Sequence, residues 1–229
     1  MNDTITEINK DTFWGLIREA RDSCGQDMSA MVWYLKGRLV SMGAEQAQNF
    51  HDITQAYEDL AYKYGLWDAA EIITEYGCSD DGFIDFRAWL IAQGKEIYLA
   101  ALADPDSLVE VEPYGDCSFE QMSYVGEYAY KQLTGKSAYE KTDQRKYKRL
   151  VAELKQDITY KDGIQFTREG AELKQFLPRL CAKYPDRWLE PHWNLDLKVV
   201  RELFYAGKVH DHRQRVCKKK NRGHGGEAR

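Results

Sequence analysis

A helical repeat of apolar residues is the feature that most constrains the fold of this chain. Between residues 44 and 64 these residues recur at steps of three or four, which places them on one stripe of an α-helix about 100° wide. The stripe consists of Ala47, Phe50, Ile53, Tyr57, Leu60, Ala61 and Tyr64. Similar spacing runs from residue 11 to about 134, and Gly65 is predicted to close the strongest helix. The pattern therefore predicts a mainly α-helical protein.

Further helices are predicted on both sides of this stripe. Their ranges are 11–24, 29–42, 66–76, 83–93, 95–103, 118–133, 143–156 and 168–182. Ser118 and Gln121 form a predicted capping box, and Pro178 predicts a break in the last helix. The segment ITYKDGIQF predicts a small β-hairpin near 158–166. We expect one compact multi-helix domain over 11–184, followed by a C-terminal extension over 185–207.

Composition and cysteine usage narrow the class of protein. With 43% hydrophobic and 30% charged residues, the 229-residue chain is neither collagen-like nor wholly disordered. It has no apolar run near the roughly 18 residues that span a bilayer, and its first residues are polar and acidic, unlike a signal peptide. The five cysteines form no CxxC pair. We therefore expect a cytoplasmic protein with reduced thiols, no membrane partner, and neither a metal nor another cofactor.

Charge divides the chain into an acidic body and a basic tail. The first 207 residues hold 24 basic and 35 acidic residues, whereas residues 208–229 hold 8 basic and 2 acidic ones. An acidic body repels phosphates, so nucleic-acid binding is expected only through the tail. The tail cations that could carry it are Lys218, Lys219, Lys220 and Arg222. Because the tail has almost no apolar residues, we expect it to be disordered, and a solvated terminus is the simpler interpretation.

The densest group of polar residues lies in the segment CSDDGFIDFRAW, which begins at Cys78. The part DGFIDF is similar to the second half of an EF-hand loop. The first and twelfth positions of such a loop would be Gly77 and Ala88, so two essential carboxylates are missing. An EF-hand is therefore not expected here.

Two interpretations of this acidic segment remain. In the first, Ser79, Asp80 or Asp81 caps the next helix, where carboxylates interact favourably with the helix dipole. In the second, the segment lines a polar pocket. The pocket would consist of Asp80, Asp81, Asp85 and Arg87, with Trp67 and Trp89 as walls. Arg87 favours this second idea, because its neighbours three and four residues away on the helix are all apolar and its partner must come from elsewhere.

Several segments resemble a bacterial family known as domain of unknown function 4240. They are LWDAAEII, GCSDDGFIDFRAWLIAQGKEIYLAALADPDSL, EQMSYVGEYAYKQLTGK and ELKQFLPRLCAKY, together with Phe13, Trp14 and Ile17. The resemblance spans roughly residues 11–184 and is weaker over 140–167. It implies a soluble, mostly helical domain and supplies no reaction, cofactor or catalytic residue.

Two functions are therefore expected as alternatives. The first is a cytoplasmic interaction module, such as an inhibitor, immunity-type or regulatory protein, whose acidic surface binds a protein partner. The second is a small enzyme or ligand-binding protein, hydrolase-like and metal-assisted, that uses the acidic pocket.

Overall fold

The helical periods of the sequence become helices at nearly the predicted places. The computed structural model describes residues 5–75 and 77–187, which belong to one unit, Met1–Glu190. The first six helices are α1 (Lys10–Cys24), α2 (Met28–Met42), α3 (Ala44–Leu60), α4 (Tyr64–Ile73), α5 (Asp80–Ala92) and α6 (Lys95–Ala103). Short 3₁₀ turns follow at Pro105–Glu110 and Gly115–Cys117. The remaining helices are α7 (Glu120–Ser123), α8 (Val125–Thr134), α9 (Ala138–Lys141), α10 (Gln144–Lys155), α11 (Gly170–Phe176) and α12 (Pro178–Lys183).

Helix α3 lies at the centre of the packing. Helices α1, α2, α5, α7, α8, α9 and α10 all contact it. The stripe residues that lie in α3 are buried as predicted, whereas Tyr64 belongs to α4 and is only half-buried. Residue Tyr57 of α3 joins an aromatic cluster with Trp14 and Tyr98. The indole N–H of Trp14 donates to the Tyr57 hydroxyl at 2.9 Å, and the Tyr98 hydroxyl donates to the Tyr57 carbonyl at 2.6 Å. The core therefore satisfies the polar atoms of these buried rings within the cluster.

The contact between α3 and α8 depends on a glycine. A β-carbon placed on Gly126 would lie 2.7 Å from the backbone nitrogen and Cα of His51 on α3. These backbone atoms cannot move aside as the end of a side chain can. The lack of a side chain at this position therefore sets how closely the two helices approach.

The predicted β-hairpin near 158–166 is wrong, because the described residues contain no strand there and the chain forms successive turns instead. Its backbone groups bond to other elements. The Lys161 N–H donates to the Leu102 carbonyl at 3.0 Å, and the Gly65 N–H donates to the Ile164 carbonyl at 2.6 Å. Ile158 and Ile164 are buried against the helices. Alternating apolar residues here serve helix packing rather than pairing between strands.

The predicted capping box at Ser118 is also wrong. The helix begins at Glu120 without a side-chain cap, and Tyr124 separates α7 from α8. The Ser118 hydroxyl bonds to Asp85 instead, at 3.2 Å. A third difference concerns α3, which ends at Leu60 rather than at Gly65, and Gly65 lies inside α4. The predicted break at Pro178 is confirmed, since α11 ends at Phe176 and α12 begins at the proline.

The predictions for the C-terminal part fall mostly on residues that are not described. The extension 185–207 is described only up to Arg187, and the tail 208–229 lies outside the described residues. None of the helices over 5–75 and 77–187 is long and apolar enough to cross a membrane.

The α3–α8 contact gives the first testable prediction. Gly126→Ala should destabilise the protein by about 2–3 kcal/mol, because the added methyl forces the helices apart. Gly37→Ala is the matched control, since Gly37 lies within α2 and a β-carbon added there would meet nothing within 4 Å. It should stabilise the protein by about 0.5–1 kcal/mol through helix propensity. Urea unfolding of both variants measures the two effects, and equal losses in both would contradict the close-approach argument.

Candidate functional site

The acidic segment forms the start of helix α5. Ser79 is the N-cap, and its hydroxyl accepts the Gly82 N–H at 3.0 Å. Asp80 and Asp81 occupy the first turn. In this position their charges stabilise the helix through its dipole. The first interpretation of the segment, helix capping, therefore agrees with its local structure.

Arg87 lies in the interior with 6% of its surface exposed. Its Nε donates to the Phe83 carbonyl at 3.1 Å, and its Nη1 donates to the backbone carbonyl of Glu58 at 2.7 Å. The guanidinium also lies 5.0 Å from the ring centre of Tyr62 and 5.2 Å from that of Phe83. The expectation that Arg87 needs a group outside its own helix is confirmed, and that group lies on α3.

Glu58 is one of the buried acidic residues that the sequence reasoning missed; Asp68, Glu71 and Asp106 are others. Its side chain is buried between α3, α5 and α7, and the Ser123 hydroxyl donates to its Oε1 at 2.5 Å. Burial raises the pKa of Glu58 to about 7, while the Ser123 hydrogen bond and the nearby positive charge of Arg87 oppose that rise. The available signal was its position four residues after the buried Thr54, since glutamate is rarely buried without partners.

Asp85 lies in a different setting from Asp80 and Asp81. Its carboxylate accepts the Ser118 hydroxyl, and its carbonyl accepts the Phe119 N–H at 3.2 Å. Burial raises the pKa of Asp85, the Ser118 bond opposes this, and the charges of Glu120 and Asp81 add to it. Asp85 therefore ties α5 to the loop before α7.

The two tryptophans also differ in their surroundings. Trp67 is half-buried; its Nε1 donates to the Cys78 carbonyl at 2.7 Å and its ring stacks on Phe83 with centres 4.8 Å apart. Trp89 is fully buried and packs against Phe86 and Tyr114. The six predicted pocket residues thus divide among a helix start, the interior and the α5–α7 junction. Within residues 5–75 and 77–187, no group of three or more His, Cys, Asp or Glu side chains is arranged to hold a metal ion.

An open cleft of about 1050 Å³ lies elsewhere, between α1, the α5–α6 junction and the loop that follows Pro105–Glu110. Trp14 and Gln93, both buried for most of their surface, lie at its base. Its rim has five carboxylates and three cations: Asp11, Asp22, Glu96, Glu110 and Glu112, with Arg18, Arg21 and Lys95. All five acidic residues are exposed. Sequence reasoning missed this cleft because its residues come from three separate segments.

Hydrogen bonds fix the base of the cleft. The Gln93 amide donates to the Trp89 carbonyl at 3.0 Å and to the Tyr114 hydroxyl at 2.9 Å. The Arg21 guanidinium donates to the Gln93 carbonyl. The next residue, Gly94, has a φ of 94°, and a β-carbon there would lie 3.0 Å from Arg21. The guanidinium of Arg21 is therefore fixed in place but keeps its charge. Glu110 pairs with Arg179, so the rest of the rim has four carboxylates and three cations, a small excess of negative charge.

The buried carboxyl gives a prediction about pH. Because the folded protein holds the Glu58 proton more tightly than the unfolded chain, stability falls as the pH rises from about 4.5 to about 7. The loss attributable to this group is about 3 kcal/mol. Glu58→Gln cannot titrate, so its loss of unfolding free energy between pH 5 and pH 8 should be smaller by about that amount. Urea unfolding at both pH values measures it, with the exposed Glu45→Gln as a control that should follow the wild type.

Arg87 should affect the same pH dependence of stability. Arg87→Met removes the cation that stabilises the charged form of Glu58, and it should destabilise the protein by about 3–5 kcal/mol. The effect should be larger at pH 8, where Glu58 is ionised, than at pH 5. Combining it with Glu58→Gln should remove this pH dependence of the Arg87→Met effect. Equal destabilisation by Arg87→Met at both pH values would show that the two charges are not coupled.

Comparison with known proteins identifies the family. No curated protein and no solved structure matches the chain. The family model described as "Protein of unknown function (DUF4240)" matches residues 8–132. The match ends short of the predicted limit at 184, and it contains the cleft base, the Glu58–Ser123 pair and helices α1–α7. The chain therefore belongs to the DUF4240 family.

Proposed function

We propose that this protein is an interaction module that binds a basic segment of a partner protein in the cleft beside α1. The observation that carries the proposal is the cleft itself, an open depression whose rim has five carboxylates and three cations, one of them engaged by the Gln93 carbonyl. A lysine- or arginine-rich segment complements such a rim in charge. Regulation or inhibition of the partner is the activity that such binding would serve.

The distribution of charge along the chain also favours a basic partner. Residues 45–135 hold 18 acidic and 4 basic residues. This acidic excess attracts a basic protein over distances up to a Debye length, about 8 Å at physiological salt, and steers it toward the surface. The cleft then supplies the local shape. Net charge alone would not select a site, whereas the cleft selects one face of the domain.

The base of the cleft is rigid. Trp14 lies there with its ring packed on Tyr57 and Tyr98 and its N–H bonded to Tyr57, so the ring is held in one orientation. Only 4% of Trp14 is exposed, because its ring belongs to the core. The charged contacts to a basic segment would therefore come from the rim.

The enzyme alternative has less geometric support. A hydrolytic pocket at CSDDGFIDFR would need Arg87 and the aspartates to face a common substrate, but Arg87 donates to two backbone carbonyls in the interior and Asp85 is bonded to Ser118.

We place the interaction module in the cytoplasm. The four described cysteines are all free thiols, which suits a reducing compartment.

The test uses the full chain and an eight-residue peptide of alternating lysine and arginine. Asp22→Asn, Glu96→Gln and Glu112→Gln together should weaken binding about tenfold, since each exposed pair contributes about 0.2–1 kcal/mol. The matched control, Glu45→Gln, Glu140→Gln and Asp162→Asn, removes the same charge from exposed positions outside the cleft. It should change the affinity less than twofold. Fluorescence anisotropy measures both, and equal weakening by the two variants would reject the cleft as the binding site.

A further inference from the structure

A second charged surface, of opposite sign, lies on helix α10 and the end of α9. We use the name basic face for its five cations, Lys141, Arg145, Lys146, Lys148 and Arg149. All five are exposed. Residues 131–149 hold seven basic residues and only two acidic ones, in contrast to the acidic segment 45–135 that precedes most of them.

Helix stability does not account for these charges. Asp143 is the N-cap of α10, so Arg145 and Lys146 lie in the first turn, where the helix dipole is positive. Cations in that turn are unfavourable by about 0.3–1 kcal/mol each. Arg145 and Arg149 are also four residues apart, a spacing at which like charges repel by about 0.2–0.5 kcal/mol. The helix would be more stable with neutral or acidic residues here.

The fold does not use them either. Helix α10 packs on α3 through its other side, where Leu154 is buried and the Tyr147 hydroxyl donates to Asp59 at 2.6 Å. Among the described residues, none of the five cations forms an ion pair. The side-chain bond of Arg149 is a long one of 3.4 Å to the Arg145 carbonyl. Their positive charge therefore faces solvent, with Asp143 as a nearby carboxylate whose pKa is lowered by its backbone hydrogen bonds and by the charges of Lys146 and Arg149.

Exposed apolar side chains come just before this surface in the chain. Of the four large hydrophobic side chains that are exposed within the described part of the chain, three fall within residues 128–139: Tyr128 (40%), Leu133 (40%) and Tyr139 (45%). Helices α8, α9 and α10 all pack against α3, so these residues and the basic face are arranged around the same helix. The ring of Tyr139 rests edge-on against His51 at 4.3 Å, which limits its movement. Tyrosine and arginine are both enriched in protein-binding surfaces.

We propose that the basic face and Tyr139 dock an acidic segment of a partner protein. Charge complementarity selects the sign of the partner. A continuous chain of phosphates is disfavoured, because Glu140, Asp143 and Glu153 lie along the same surface and would meet it. An acidic protein segment can place its carboxylates opposite the cations and neutral groups elsewhere. This docking is independent of the acidic cleft, which uses other helices, and it lies outside the matched family residues 8–132.

The experiment measures the rate of acylation at each lysine of the full-length chain by mass spectrometry. Lysines of the basic face are thereby distinguished from lysines of the basic tail. The probe, called the glutamate peptide, has eight residues of alternating glutamate and serine, so that neutral groups can lie opposite the acidic residues of the face, and a peptide of alternating glutamine and serine is its neutral control. We expect the glutamate peptide to slow acylation of Lys141, Lys146 and Lys148 at least threefold and to leave Lys95 unchanged. The protection should disappear as salt is raised, because the contacts are exposed ion pairs.

Arg145→Gln with Arg149→Gln should abolish this protection, whereas Lys36→Gln with Lys174→Gln, an equal change in charge on α2 and α11, should retain it. Circular dichroism of both variants checks that they fold. If either variant does not fold, the pattern of protected lysines in the wild-type chain still tests the proposal. Protection confined to Lys218, Lys219 and Lys220 would overturn the proposal. So would stronger protection of Lys146 and Lys148 by an eight-nucleotide oligothymidylate or by phosphatidylglycerol vesicles, since the face would then bind nucleic acid or lipid.

Discussion

The burial of helix α3 is the constraint on which the rest of the structure depends. Nine of its 17 residues are buried, and they include His51 and Glu58 as well as the five stripe residues that lie within the helix. Helices pack on it from several directions, so its polar residues must find partners inside the protein or lose their hydration without compensation. The main polar contacts of the interior follow from that requirement. The Tyr57 hydroxyl accepts a hydrogen bond from the Trp14 N–H, and the Glu58 backbone carbonyl accepts one from the Arg87 guanidinium.

Glu58 and Arg87 show that burial of charged groups has a cost in desolvation free energy. Neither group is placed where water can solvate it, and the pKa of the Glu58 carboxyl rises although a cation and the Ser123 hydroxyl favour its charged form. Desolvation therefore outweighs the attraction between the pair, as is common for buried charges. The pair is better understood as part of the packing that joins α3, α5 and α7 than as a reactive centre. A raised pKa by itself does not distinguish these roles.

The two surfaces proposed for binding share a property that the buried pair lacks, because their charges are exposed. The cleft has an acidic rim and a base fixed by Gln93 and Arg21, whereas the basic face has cations that neither the helix nor the fold requires. Their opposite signs suit different partners. The two proposals together describe a protein that would bind two partners on separate surfaces.

The sequence by itself determined most of the helices, a polar cap for α5 among Ser79, Asp80 and Asp81, and the break at Pro178, because spacing, capping and proline geometry act over a few neighbouring residues. It also indicated that Arg87 needs a group from another element. Tertiary structure alone decided which group that is, how Glu58 is buried, and where the cleft forms. It also replaced the expected hairpin at 158–166 with turns bonded to helices. These outcomes depend on residues far apart in the chain, whose meeting is set by packing and by desolvation rather than by local preference.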